Sequence, residues 1–218
     1  MEFNVVFLGQ SVLRYKIPRD ILLQLKNIYK DKFNELPAAN PQLVGKIKNE
    51  KSLFYDGPDV PEKKIYPHNF LPQQVIDFYY KAFKHYLDWN RIKGYTCTLS
   101  SVWVNRMKEH EYNPIHVHQG TLYTGLSSVL VLDTPEHYGV EYSSSDQPLN
   151  GQLMILGSSS GQFANVDYQP YKLTAGDLFI FPYDMRHCVY PFNGPGERVT
   201  VAGNMDVLFD PIMNRGVT

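Results

Sequence analysis

Cysteine is scarce in this chain: Cys97 and Cys188 are the only two among 218 residues. Two thiols do not make a disulfide scaffold, which excludes a small secreted framework protein. Long apolar runs are missing as well, and no stretch approaches the roughly 18 apolar residues of a membrane-spanning helix. Residues 1–8, Met-Glu-Phe-Asn-Val-Val-Phe-Leu, lack the basic region and longer apolar core of a secretory signal. A cytoplasmic location with reduced thiols is therefore expected. Excess charge of either sign is absent too: 21 basic against 22 acidic side chains leave −1. That balance gives no electrostatic case for nucleic acid or anionic membrane as a partner.

What the chain does have is apolar material. Hydrophobic residues make up 43% and charged residues 20%, which indicates a globular protein. The length suits one well-buried domain over 1–218, with residues 1–95 as N-terminal strands, helices and a cover loop, and 96–210 as its core. Sixteen tyrosines and twelve phenylalanines favour a β-rich core with tyrosines at its rim.

Residues 2–8 and 11–17 read as short strands separated by a turn at Gly9-Gln10. A helix starts at Pro18-Arg-Asp20, with Ile21, Leu22, Leu25, Ile28, Tyr29 and Leu36 on a helical repeat. Prolines at 37, 41, 58, 61 and 67 mark residues 37–70 as a loop-rich cover. A second helix follows over about 72–90, presenting Val75, Ile76, Tyr79, Phe83, Tyr86 and Leu87 on one face. From Thr96 the pattern changes to strands: 96–107, 126–132, 152–156, 172–173, 178–181, 188–190 and 198–208. Turn signals fall between them, at Asn113-Pro114, Asn150-Gly151, Ala175-Gly176-Asp177 and Asn193–Gly196. Successive strands without intervening helices argue for an antiparallel sandwich or barrel.

Two histidines one residue apart, His116 and His118, carry the functional signal. They share one side of an extended segment, with Val117 facing the other way. His187 lies 69 positions beyond His118, and Arg198 follows after 11 more. Neutral imidazoles are common ligands of iron, zinc and copper, and a third from a distant strand closes a set around one ion. The competing reading is that these are surface or hydrogen-bonding histidines. His68, His85, His110 and His137 are expected to have no special role.

Arg198 begins a strand in which Arg198, Thr200, Ala202 and Asn204 share one face, and Val199 and Val201 the other. An arginine on the interior face of a barrel is costly unless a carboxylate meets it. Its planar fork matches a carboxylate at two points, with the Thr200 hydroxyl beside it. Cys188 points away from the metal by alternation and reads as a core thiol.

These segments resemble the iron(II)/2-oxoglutarate-dependent oxygenase superfamily, within it the small prolyl-hydroxylase-like group of bacteria and their viruses. The resemblance spans about residues 100–206 and rests on Trp103-Val-Asn105, Tyr112-Asn-Pro-Ile-His-Val-His118, the strand 127–132 and Gly151-Gln-Leu153. It continues through 173–182, His187-Cys-Val-Tyr-Pro191 and 198–204, the stretch Gly176-Asp-Leu-Phe-Ile-Phe-Pro182 with the following His, Pro and Arg-x-Thr being the most specific part. It implies a double-stranded β-helix, or jelly roll, backed by the N-terminal helices. It also implies Fe(II) at His116 and His187, and 2-oxoglutarate as co-substrate with its distal carboxylate on Arg198 assisted by Thr200. The implied reaction is hydroxylation of a small molecule or peptide side chain, with release of succinate and CO2.

The superfamily's usual carboxylate ligand is replaced here by His118, which is either a third ligand or a group beside a metal-bound water. Asn105 is the expected polar contact in the co-substrate pocket, with Trp103 and Tyr123 lining it. Two other functions fit the same residues: a cupin-like three-histidine metalloenzyme without 2-oxoglutarate, and a non-catalytic jelly-roll binding module. The segments Pro37–Phe70 and Thr134–Asn150 are expected to overhang the pocket and set specificity.

Overall fold

The computed structural model describes residues 11–141, 148–157, 167–170 and 173–210. The strand expected over 2–8 and Lys172 of the short strand at 172–173 lie outside them.

In chain order the elements are β1 (Leu13–Lys16), α1 (Arg19–Lys32), β2 (Asn49–Tyr55), β3 (His68–Asn69), α2 (Gln73–Trp89), β4 (Tyr95–Met107) and β5 (Asn113–His116). They continue with β6 (Gly125–Asp133), β7 (Leu153–Leu156), β8 (Asp167–Tyr168), β9 (Asp177–Pro182), β10 (His187–Val189) and β11 (Arg198–Phe209). A seven-stranded sheet runs β1-β9-β6-β11-β4-β2-β3, and a four-stranded sheet runs β5-β10-β7-β8. Every pairing between these strands is antiparallel. These are the antiparallel sheets expected from the strand succession, in the jelly-roll architecture that the resemblance implies.

Alternation sorts the large sheet into two cores. Leu130, Leu132, Leu178, Ile180, Val199 and Val201 turn toward the helices and pack with Leu25 of α1 and Val75, Tyr79 and Phe83 of α2. Their neighbours Val129, Val131, Phe179 and Phe181 turn inward and meet Leu153, Ile155 and Val189 of the small sheet. Because both faces of β6 and β9 are covered, these strands read in sequence as continuous apolar runs. Pro18 and Pro72 sit immediately before the helices, where a missing N–H and a fixed φ cost nothing.

Several expectations need correction. The loop-rich cover contains β2, which pairs with β4 from Asn49↔Arg106 to Tyr55↔Ser101 and so belongs to the large sheet. Residues 113–116 form β5, the edge of the small sheet, where Pro114 needs to donate no ladder hydrogen bond on its free side. Leu173 lies in no strand, and β8 precedes it instead. Leu36 falls beyond the end of α1 but is still buried in the helix-side core. Both cysteines are free; Cys188 is buried and its thiol pushed up by that burial, in keeping with a core thiol.

Candidate active site

A cavity of about 600 Å³ opens between the two sheets, and its floor is a grid on three neighbouring strands. The rows are Glu50–Asn105–Thr200, Ser52–Trp103–Ala202 and Tyr55–Ser101–Asn204, read across β2, β4 and β11. All nine side chains line the cavity. On β11 strict alternation supplies the row positions. On β2 an irregularity between Ser52 and Phe54 absorbs one residue, so Leu53 and Phe54 turn toward the helix-side core and Tyr55 returns to the cavity.

The histidines close one end. His116 and His187 are direct cross-strand partners on β5 and β10. His118 follows β5, anchored by its backbone N–H to the Tyr183 carbonyl at 2.9 Å. The His116 Nδ1 donates to the Pro114 carbonyl at 2.7 Å, and the His187 Nδ1 to the Met185 carbonyl at 2.9 Å. A carbonyl only accepts, so both rings carry their proton on Nδ1 and present a bare Nε2 when neutral. The His118 Nε2 lies 3.0 Å from the His187 Nε2. One potential ligand atom from each ring falls within 4.8 Å of the others.

Electrostatics favour the ligand form. Burial, then the neighbouring rings, hold His118 well below the ordinary histidine value. Burial and His116 push His187 down to about 3 despite its bond to Met185. Burial also lowers His116, against the opposing effect of the Pro114 carbonyl. Three neutral imidazoles converging, two of them with the Nε2 lone pair free, are the donor set a divalent transition metal requires. The residues present fit such an ion.

Arg198 begins the same cavity face at 2% exposure. Burial lowers its guanidinium from the ordinary value and the nearby Tyr138 hydroxyl counters this. Its Nη2 has no hydrogen-bond partner among the described residues. A buried, partly unpaired guanidinium is costly, and an anion entering the cavity would remove that cost. Thr200, one position along the same face, holds the Asn105 side-chain nitrogen at a long 3.5 Å. The Asn105 Oδ1 is buried without a partner among the described residues.

The structure thus brings His116, His118, His187, Arg198, Thr200, Asn105 and Trp103 to one cavity. Tyr123 is not among them: it is 85% exposed, on the connection leading into β6. Segment 37–70 does overhang the cavity, through Leu43, Ile47 and Lys63 among others. The described part of 134–150 contributes no lining residue and supports Arg198 from behind through Tyr138. Glu50 is a cavity residue that sequence reasoning missed, because it sits in a segment without periodicity.

Residues 101–204 match a family model described as "Putative 2OG-Fe(II) oxygenase". No curated protein sequence matches the chain. Among solved structures, the chain is similar to a prolyl-4-hydroxylase from Pseudomonas putida, at 16% identity and TM-score 0.52, covering 91% of this chain and 92% of that one. A prolyl hydroxylase from Trichoplax adhaerens, in complex with a hypoxia inducible factor peptide fragment, gives 12% identity and TM-score 0.54, with 91% and 84% covered. HygX from Streptomyces hygroscopicus, with nickel, 2-oxoglutarate and hygromycin B bound, gives 12% identity and TM-score 0.51, with 91% and 82% covered. At these identities the structural likeness is one of fold. The matched span contains the three histidines, Arg198 and Thr200. Over residues 101–204 the chain is thus identified as similar to the iron(II)/2-oxoglutarate-dependent oxygenases, an enzyme family whose cofactor is Fe(II) and whose co-substrate is 2-oxoglutarate.

Proposed function

We propose that this protein hydroxylates a C–H bond of a small molecule or a peptide side chain, consuming O2 and 2-oxoglutarate and releasing succinate and CO2. One observation carries the reading: the three clustered histidines and Arg198, whose buried Nη2 has no partner among the described residues, line the same cavity. His116, His118 and His187 are the residues that would hold Fe(II), with His118 standing where the family places a carboxylate. The bound metal supplies oxygen activation. Arg198 and the Thr200 hydroxyl take the distal carboxylate of 2-oxoglutarate, and Asn105 offers its amide beside them.

The protein's own contribution is placement. Backbone carbonyl partners at Pro114 and Met185, the second of them buried, fix the tautomers of two ligands. The buried guanidinium fixes one end of the co-substrate, and the apolar inner core under the cavity keeps the chamber closed from below. A three-histidine enzyme without 2-oxoglutarate would have no use for a buried, partly unpaired Arg198 on this face. Peptide and small-molecule ligands in the Trichoplax enzyme and in HygX support both substrate classes. We place the activity in the cytoplasm and expect no nucleic-acid partner; among the described residues no helix is long and apolar enough to cross a membrane.

The test is O2-dependent conversion of 2-oxoglutarate to succinate by the iron-loaded protein. Turnover that requires iron and falls at least tenfold in Arg198→Ala supports the reading. Iron-loaded protein that forms no succinate contradicts it.

A further inference from the structure

Glu50 has no part in holding iron or co-substrate as assigned above, yet it is 3% exposed and lines the cavity. It is the one carboxylate among the described lining residues. The Asn40 side-chain nitrogen donates to its Oε2 at 2.8 Å while also holding the Ile47 carbonyl, so one carboxylate oxygen is fixed in place. The other, Oε1, is buried with no hydrogen-bond partner among the described residues. Its cross-strand neighbour Asn105 presents a second buried oxygen, Oδ1, in the same condition. Side chains directly opposite on paired strands stand about 5 Å apart at Cβ, close enough for one group to reach both.

Two unpaired acceptors side by side are complementary to a group with several N–H donors. A buried carboxylate is costly to keep in a cavity wall unless a donor, and best a cation, meets it. Burial, then repulsion from Glu111, raises Glu50 to about 7, so an arriving cation would meet a group at the edge of ionisation. Glu111 itself is engaged by the backbone N–H groups of Lys48 and Lys108.

We propose that the primary substrate enters this cavity with an ammonium or guanidinium group, received by Glu50 and Asn105 on the floor of the chamber. The inference rests on the oxygenase reading only in taking the cavity as a substrate chamber. Glu50 would then be a specificity-determining residue, selecting a cationic nitrogen over its neutral isostere.

The test uses side-chain fragments and the full-length chain under argon, with and without Fe(II) and 2-oxoglutarate. Binding of n-butylguanidinium and n-butylammonium is compared by NMR titration with that of n-butylurea and 1-butanol. The expected result is at least a tenfold preference for the charged member of each pair, reduced below twofold in Glu50→Gln. Equal binding of charged and neutral probes, or a preference that survives Glu50→Gln, overturns the proposal. A second measurement needs no variant. In the wild-type protein the charged probes should tighten as pH rises from 5.5 to 8 while the neutral ones stay constant, and a flat profile for both overturns it. Failure of the same wild-type preparation to bind Fe(II) and 2-oxoglutarate would count against the oxygenase reading, whereas the charged-to-neutral preference of the probes decides the cation site by itself.

Discussion

The His118 and His187 Nε2 atoms face each other at 3.0 Å, although the two residues are 69 positions apart in the chain. His187 offers a lone pair there, because its proton is committed to the Met185 carbonyl. Adjacent positions of an octahedral ion with bonds of about 2.1 Å are about 3 Å apart, so the separation is also that of two neighbouring ligands. Direct ligation by His118 predicts that His118→Ala loses at least about 100-fold in iron affinity, the same loss expected of His116→Ala and His187→Ala. His118→Asp, which restores the family's usual donor, is expected to stay within about tenfold of wild type. Anaerobic iron titration of the four variants checks both. A loss under tenfold for His118→Ala would place a water at that position instead.

Glu50 makes stability fall as pH rises. Its folded value of about 7 lies above the ordinary 4.5. Between those values the native state keeps a proton that the unfolded chain has released, so stability declines across the window from about pH 4.5 to 7. Glu50→Gln removes this slope. Urea melts should find little difference at pH 4 and a stabilisation of about 1–3 kcal/mol at pH 8.

Asp177 has the opposite sign. Burial alone would raise it, but the Thr174 N–H at 2.8 Å, Arg14 at 3.0 Å and Lys16 at 3.2 Å outweigh burial and hold the carboxylate below its ordinary 3.8. Stability from this group is present above pH 3.8 and lost as pH falls through its folded value. Asp177→Asn should cost about 1–3 kcal/mol at pH 7, from a charged acceptor that clasps β1 to the turn before β9. The difference between variant and wild type should fade in melts below about pH 3.

Gly125 links packing to the proposed metal ligands. Its carbonyl accepts the Tyr183 N–H, and the Tyr183 carbonyl accepts the His118 N–H. A methyl at Gly125 would run into the Met205 carbonyl and the Tyr183 ring. Gly125→Ala is therefore expected to lower stability by about 1–3 kcal/mol. It should also weaken iron binding about tenfold through the displaced His118, a second readout that a defect confined to packing would leave unchanged.

Much of this site is legible in the sequence because its elements obey local rules. Alternation alone puts Arg198, Thr200, Ala202 and Asn204 on one face, and all four line the cavity. The apolar runs of β6 and β9 and the helical repeat of α2 are equally plain, since burial on two faces or on one stripe writes a period into the chain. Glu50 is not legible. Its strand starts with Asn-Glu-Lys-Ser, sits among prolines, and loses its two-residue period at the irregularity after Ser52. Its partner β4 begins 40 residues after β2 ends, so the pairing that defines the strand is non-local. Tyr123 fails for the converse reason: closeness to the histidines in sequence does not make an aromatic their neighbour in space, and the loop turns it out to solvent.

The most direct measurement is anaerobic addition of Fe(II) and 2-oxoglutarate to metal-free protein, followed by the weak visible charge-transfer band of the iron chelate. The expected result is a band that needs both additions and is lost in His187→Ala and in Arg198→Ala. Iron binding without any 2-oxoglutarate-dependent band would contradict the assignment of Arg198 and of the co-substrate to this cavity.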